Sequence, residues 1–373
     1  MSSIIKPHVA KFYMYLLVLM CVHLITAQES YQYRSPVSSN DGLETTSLFS
    51  TPTDSTNLYK LFDQLLNEDH KIHSALLLID NKLVLEEYFG GYGPDKTHDL
   101  RSATKPIISL LMGIALDRGI IESIDDPISR YLKNPIPEKN IDPRKNEISI
   151  RHLLTMSSGL DCDDWDKRSA GQEDKVYRKK DWLQFTLNLP MVEDPGVSAR
   201  YCSMGVVLAA EIIAQASGMP IAEFADRYLF HPMGITNLSW GHTSTSKAVI
   251  PSSKRLYMRP RDLAKIGLLV HNKGKWNAEQ LVSEEWIALS TSKQTTLANL
   301  DYGFLWWHIP FKTQNGTAKA ITATGNGGQY IFVLEELDMI AVFTGGAYNS
   351  EKSKVPFAIV NNVFIPLLED KDP

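Results

Sequence analysis

The chain has 373 residues, 43% of them hydrophobic, which is enough to bury a large core in one large domain or two intimate ones. A formal net charge of −5 with no long basic run argues against nucleic acid as the main partner. Gly325-Asn326-Gly327-Gly328 is glycine-rich, but it lacks the lysine and the following helix of a phosphate loop, so no nucleotide cradle is expected.

Lys6 and Lys11 precede the apolar run Phe12 to Ile25, and small Ala27 closes it. Residues 1–27 therefore read as a secretory signal peptide, which predicts a secreted or periplasmic protein. The run is short for a membrane span, so no stable span is expected after cleavage, and an uncleaved anchor is the alternative. Residues 28–56, rich in Ser, Thr and Pro, read as a flexible linker, and residues 57–371 as the folded domain.

Within that domain the runs Ile72 to Ile79 and Lys82 to Phe89 flank Asp80-Asn81, a hairpin pattern. A helical pattern follows from Thr104 to about Leu289, with segments at Ile150 to Met156, Asp181 to Leu187, Ser203 to Ala216, Ile221 to Phe230 and Arg261 to His271. Strand patterns return at Gly303 to Ile309, Thr317 to Thr324, Gln329 to Leu334 and Met339 to Thr344, and Ser353 to Leu368 closes as a helix. The predicted fold class is α/β (α+β). One sheet is built from about 57–103 and 300–371, and a mainly helical subdomain, about 104–299, is inserted between its halves.

Ser102-Ala103-Thr104-Lys105 stands where the first long apolar helix begins. A hydroxyl and an amine three residues apart lie on one helical face, so the amine reaches the hydroxyl. A lysine in an apolar first turn has its charged form disfavoured and can serve as a base for the serine. The same spacing occurs at Ser3-Lys6, Ser244-Lys247 and Ser290-Lys293, none of which opens such a helix. Pro106 fits a first turn. An ordinary capped helix would carry the same residues, so the spacing alone does not establish catalysis.

Once the signal is removed, Cys162 and Cys202 remain, either paired in an oxidising compartment or as two buried thiols. The run Asp161-Cys162-Asp163-Asp164-Trp165-Asp166 lacks the glycine and distal glutamate of a calcium loop and reads as a solvated loop. His152, His231 and His308 are scattered without ligand spacing, so no metal is expected.

Three further segments carry a resemblance. Pro195-Gly196 leads to Tyr201-Cys202-Ser203 at a helix start, Thr324-Gly325-Asn326-Gly327-Gly328-Gln329 leads into a late strand, and both follow the Ser102/Lys105 pair in order. This resembles the serine β-lactamase and penicillin-binding-protein superfamily, in its class C-like esterase, DD-peptidase and 6-aminohexanoate-dimer-hydrolase branch. The runs from Ile150 to Leu160, Arg259 to Ala264 and Tyr302 to Trp307 look like its members too.

The resemblance implies a β-lactamase/DD-peptidase-like antiparallel sheet flanked by helices, no cofactor, and a small-molecule ester or amide as the partner. It makes Ser102 the nucleophile, with Lys105 and Tyr201 sharing its proton. The backbone amides of Ser102 and Asn326 form the implied oxyanion hole, Ser203 and Gly325 contact substrate, and Cys162 and Cys202 lie on the same side of the cleft. Ser203 replaces the family's frequent asparagine, and Ala323 stands where the family's carboxylate-binding enzymes have lysine or histidine. Arg200 or Arg255 would have to supply the missing cation. The function expected is a secreted serine hydrolase acting through an acyl-enzyme on carboxylic esters or small amides. The alternatives are a catalytically inactive binding or sensing domain of the same fold, and a DD-peptidase or β-lactamase.

Overall fold

The computed structural model describes residues 30–50, 55–242 and 251–369. The expected signal peptide lies outside the described residues.

Strands β1 (Ile72–Ile79) and β2 (Lys82–Tyr88) form the expected hairpin, and Asp80 and Asn81 both take positive φ, as its tight turn requires. After β3 (His98–Asp99), β4 (Ser239–His242) and β5 (Pro251–Met258) complete a small three-stranded sheet with it in the order β3-β5-β4. The helical reading of the middle of the chain overlooked that sheet. Its strands are short and widely separated in sequence, and a two-residue strand carries no periodicity. A two-stranded ribbon follows, β6 (Lys275–Trp276) and β7 (Glu279–Gln280). Next come β8 (Thr295–Leu297), β9 (Leu300–Tyr302), β10 (Trp307–Thr313), β11 (Gly316–Gly325), β12 (Gln329–Leu334) and β13 (Met339–Gly345).

The main sheet runs β2-β1-β13-β12-β11-β10-β9-β8, antiparallel throughout, so the two ends of the domain complete one sheet as expected. Both faces are covered. Ala75, Leu77, Tyr330, Phe332, Ala341 and Phe343 pack with Leu58, Phe62 and Leu65 of α1 (Thr56–Asn67) and with Val360 and Phe364 near the C-terminus. The alternate residues Leu76, Leu78, Ile331, Val333, Ile340 and Val342 face the helical region. Two-sided burial explains why these strands read as continuous apolar runs rather than alternating ones.

On that second face lies α2 (Lys105–Asp117), buried from Lys105 to Ala115. Its Gly113 sits where a Cβ would come within 2.1 Å of the Trp286 indole, so a glycine in the middle of a helix is what lets the two elements meet. Further helices are α3 (Ile150–Leu154), α4 (Trp182–Leu187), α5 (Ser203–Ser217) and α6 (Pro260–His271). Ser149 caps α3 through a reciprocal bond pair with His152.

The segment expected as a flexible linker is packed over residues 30–50. Tyr31 stacks on Phe62 at 4.6 Å, and Leu43 and Leu48 are buried. The backbone pairs with the edge of β2, Leu83 N donating to Glu44 O at 2.8 Å and Thr46 N to Leu83 O at 3.1 Å. Arg261 ties the strap down by donating to Val37 O at 2.6 Å while it pairs with Asp41 and Glu86. Polar composition concealed this because the strap's apolar anchors, Tyr31, Leu43 and Leu48, are scattered without period, and the rest is held by backbone donors and Arg261. At the other edge, Gly303 to Trp306 is a turn rather than the start of a strand, with Leu305 at φ +69° and Gly303 pressed against Ser290 O.

Candidate active site

Ser102 lies on a single 3-10 turn, Arg101–Thr104, that runs into α2. Arg101 adopts φ +50°, a left-handed conformation that costs a non-glycine residue about 1–3 kcal/mol. Its guanidinium compensates, 3.0 Å from Asp99 and 5.0 Å over the Tyr348 ring. The turn is also tied to β5, since Leu100 N donates to Leu256 O and Leu256 N donates to Thr104 Oγ1. As a result Ser102 is partly accessible while Ala103, Thr104 and Lys105 are buried.

Lys105 Nζ donates to Ser102 Oγ at 2.8 Å. The Tyr201 side chain is hydrogen-bonded to Ser102 as well, and the Lys105 amine lies 4.8 Å over the Tyr201 ring. Burial drives the two partners in opposite directions. It pushes Lys105 below its ordinary value against the pull of Asp164 and Glu173. It pushes Tyr201 well above its own, with the Ser102 hydrogen bond acting against the rise. Both shifts favour the neutral forms: an amine able to accept a proton and a phenol that keeps one, converging on a single hydroxyl.

Tyr201 is held by what surrounds it. Trp165 stacks parallel on it at 4.8 Å, and Trp307 packs beside both rings. Cys162 and Cys202 are disulfide-bonded, with Cα atoms 5.3 Å apart, which fastens the acidic segment to the residue after Tyr201. Asp164 N donates to Tyr201 O at 2.8 Å, closing the same contact from the backbone. Asp164 Oδ2 accepts from Ser203 N at 3.0 Å and from Ser203 Oγ at 2.5 Å. The one hydroxyl proton of Ser203 is thus committed inside the protein. In this arrangement the hydroxyl proton points to Asp164, so any contact of Ser203 with a substrate would be made as an acceptor.

The end of β11 abuts the Ser102 turn. A Cβ on Gly325 would lie 2.2 Å from Leu100 O and 3.2 Å from Ala103 N, so only glycine permits this approach. Asn326 follows at once, its side chain turned away into a reciprocal pair with Asn349 at 2.8 and 2.9 Å. Ala323, two residues back, is fully buried beside Ile331. Arg200 is paired with Glu193, and Arg255 hydrogen-bonds Tyr177, so each proposed substitute cation has another partner. Among the described residues no group of three or more His, Cys, Asp and Glu gathers as a metal cage.

Sequence reasoning missed Asp164, Trp165 and Trp307 as members of the site. The only signal was a bulky indole inside an acidic run, where a solvated loop has no use for one; Trp165 is 55% exposed although stacked on Tyr201.

A family model described as Beta-lactamase matches residues 60–356. The chain belongs to the beta-lactamase family. Among curated relatives, the uncharacterized protein BpOF4_21049 of Alkalihalophilus pseudofirmus is 27% identical over 266 residues, 63% of this chain and 70% of that one. Esterase EstB of Burkholderia gladioli is 24% identical over 214 residues, 51% of this chain and 53% of the esterase, so the alignment spans about half of each. The fold is shared with the octameric penicillin-binding protein homologue from Pyrococcus abyssi, at a TM-score of 0.64 and 17% identity, covering 86% of this chain and 79% of the other. Hydrolases of this family include esterases, and the mixed α/β architecture matches the family's fold.

Proposed function

We propose that this member of the family is a serine hydrolase that cleaves carboxylic esters or small amides through an acyl-enzyme on Ser102. The observation that carries the reading is the 2.8 Å approach of Lys105 Nζ to Ser102 Oγ, with the amine buried and its charged form disfavoured. Lys105 takes the hydroxyl proton as Ser102 Oγ bonds to the substrate carbonyl carbon. The backbone amides of Ser102 and Asn326 stabilise the oxyanion. The Tyr201 phenol donates a proton to the leaving group as its bond to the carbonyl carbon breaks, and is reprotonated from Lys105. Water then attacks the acyl-enzyme by the same route in reverse and releases the acid.

The absence of a lysine or histidine at 323 favours neutral acyl groups, and the similarity to an esterase agrees with that choice. Export to an oxidising compartment, secreted or periplasmic, is part of the proposal, supported by the disulfide between Cys162 and Cys202. Labelling with a fluorophosphonate probe tests the assignment. The unmodified protein is expected to be labelled and Ser102→Ala to be silent, and equal labelling of the two would remove Ser102 from the mechanism. Labelling without turnover of any ester or amide would leave a binding domain that has kept the fold.

A further inference from the structure

Away from Ser102, the loop of residues 134–147 roofs a cavity of about 520 Å³, a size typical of small-molecule sites. Its walls are chiefly apolar, among them Ile128, Leu132, Ile136, Ile148, Leu160 and Leu187. The roof is held in place from α4. Gln184 Nε2 donates to Ile136 O at 2.8 Å, Glu138 N and Lys139 N donate to the Asn188 side-chain carbonyl at 2.7 and 3.0 Å, and Asn140 Nδ2 donates to Asn188 O at 2.8 Å. The cavity is therefore preformed, and its mouth exposes Ile136 and Ile141, which are 63% and 72% accessible.

Two charged residues in the wall differ in how they are matched. Asp142 is paired with Arg144, whose guanidinium meets it at 2.7 Å. Lys145 is buried, and its ammonium donates only to main-chain carbonyls, Leu187 O at 2.7 Å and Lys139 O at 3.4 Å. Among the described residues no carboxylate stands within ion-pair distance of it. Asp142 acts on this ammonium through space without touching it, and burial still disfavours its charge, so an anion delivered directly onto it by a ligand would offset that cost.

We propose that this cavity is a second binding site, separate from Ser102, for a medium-chain aliphatic carboxylate whose chain fills the apolar volume and whose carboxylate pairs with Lys145. The apolar lining selects the chain, and the Lys145 ammonium, which has no carboxylate in direct contact, selects the head group. Neither feature depends on the hydrolase reading.

Dodecanoate binding to the full chain, followed by calorimetry with and without prior fluorophosphonate labelling, tests this. One molecule per chain is expected, with affinity unchanged by labelling and at least about tenfold tighter than for 1-dodecanol. Lys145→Met is expected to weaken dodecanoate by about tenfold and leave 1-dodecanol unaffected. Leu132→Trp, which fills the cavity, should abolish both, and retained far-ultraviolet dichroism would show that each variant folds. No saturable binding, equal affinity for acid and alcohol, or loss of dodecanoate binding on labelling would overturn the proposal. The comparison of acid with alcohol uses the unmodified protein and stands even if a variant fails to fold.

Discussion

Gly325 meets the carbonyl of Leu100 so closely that a Cβ at that position would lie 2.2 Å from Leu100 O. The contact joins the end of β11 to the turn that carries Ser102, and both atoms concerned belong to the backbone, so neither can swing aside. Gly325→Ala is expected to push the strand off the turn and open the gap between the amides of Ser102 and Asn326. Ester kcat/KM should fall by about a hundredfold, the scale of one lost oxyanion donor. Stability should fall by about 1–3 kcal/mol, as for other overpacked sites. Steady-state kinetics and thermal melts of the two proteins check this, and an alanine variant with unchanged rate would place the oxyanion elsewhere.

The opposed shifts of Lys105 and Tyr201 set a pH dependence. Protonated Lys105 cannot accept the Ser102 proton, so kcat/KM for a neutral aryl ester rises with pH as the amine loses its proton. Because burial lowers Lys105 from its ordinary 10.5, this limb should be centred below that value. The limb belongs to the coupled pair rather than to either residue. Tyr201, raised by burial, stays protonated throughout it. Tyr201→Phe and Lys105→Ala are each expected to slow turnover by at least about a hundredfold. A pH–rate limb centred at or above 10.5 would exclude Lys105 as the base.

The bridge from Cys162 to Cys202 fastens the segment bearing Asp164 and Trp165 to the residue after Tyr201. Removing it in Cys162→Ser/Cys202→Ser is expected to cost about 2–5 kcal/mol in denaturant unfolding. It should also lower kcat/KM, because Tyr201 loses the ring that stacks on it. Peptide mapping without reduction should recover one linked species from protein produced with export to an oxidising compartment. Two freely alkylated thiols would refute the pairing.

Beside the Ser102 turn, His73 stacks on Tyr92 at 3.6 Å and lies 5.3 Å from His98. Burial lowers both imidazoles from 6.5 to about 4. In the unfolded chain they take up protons near pH 6.5, while the folded protein resists until about pH 4. Stability should therefore be level above pH 6.5 and fall as the pH drops from there toward 4. Acidic groups also titrate in that window, so the difference between the unmodified protein and His98→Gln isolates the effect. A smaller decline in Tm between pH 7 and pH 4.5 is expected for the variant, and parallel curves would contradict it.

Much of the fold was legible because its signals are local. Asp80-Asn81 can be read as a turn because two successive positive φ values suit that dipeptide, and α2 can be read because its apolar residues recur at helical period. Ser102 and Lys105 are three residues apart in one turn, so their contact is also local. What escaped depends on distant partners. The strap of residues 30–50 is held by Arg261 and the β2 edge, and the commitment of Ser203 depends on Asp164, 39 residues away. Trp165 lies in an acidic run, and distant partners, the disulfide, Tyr201 and Trp307, hold it against the site. The resemblance supplied Tyr201 and Gly325, but it could not show which donors of the site were already engaged.

Substrate choice follows from the charges that surround Ala323. The residue is fully buried on β11 beside Ile331, so nothing at that position offers a cation to a substrate carboxylate. Arg200 is engaged by Glu193 and Arg255 by Tyr177, while Asp164 and Glu173 act on Lys105 and Tyr201 as negative charges. Among the described residues Ala323, Arg200 and Arg255 offer no uncommitted cation here, so a carboxylate entering this cleft is expected to lose hydration with little ion pairing in return, a cost of several kcal/mol. Short-chain aryl esters are therefore expected to exceed a chromogenic cephalosporin in kcat/KM by at least about a hundredfold. The exposed face of Trp165 adds a flat apolar wall, so Trp165→Ala should raise KM for aryl esters more than for methyl esters of the same acid. Cephalosporin turnover equal to ester turnover would mean that a cation reaches the cleft, and an unchanged aryl preference in Trp165→Ala would place the leaving group on another wall.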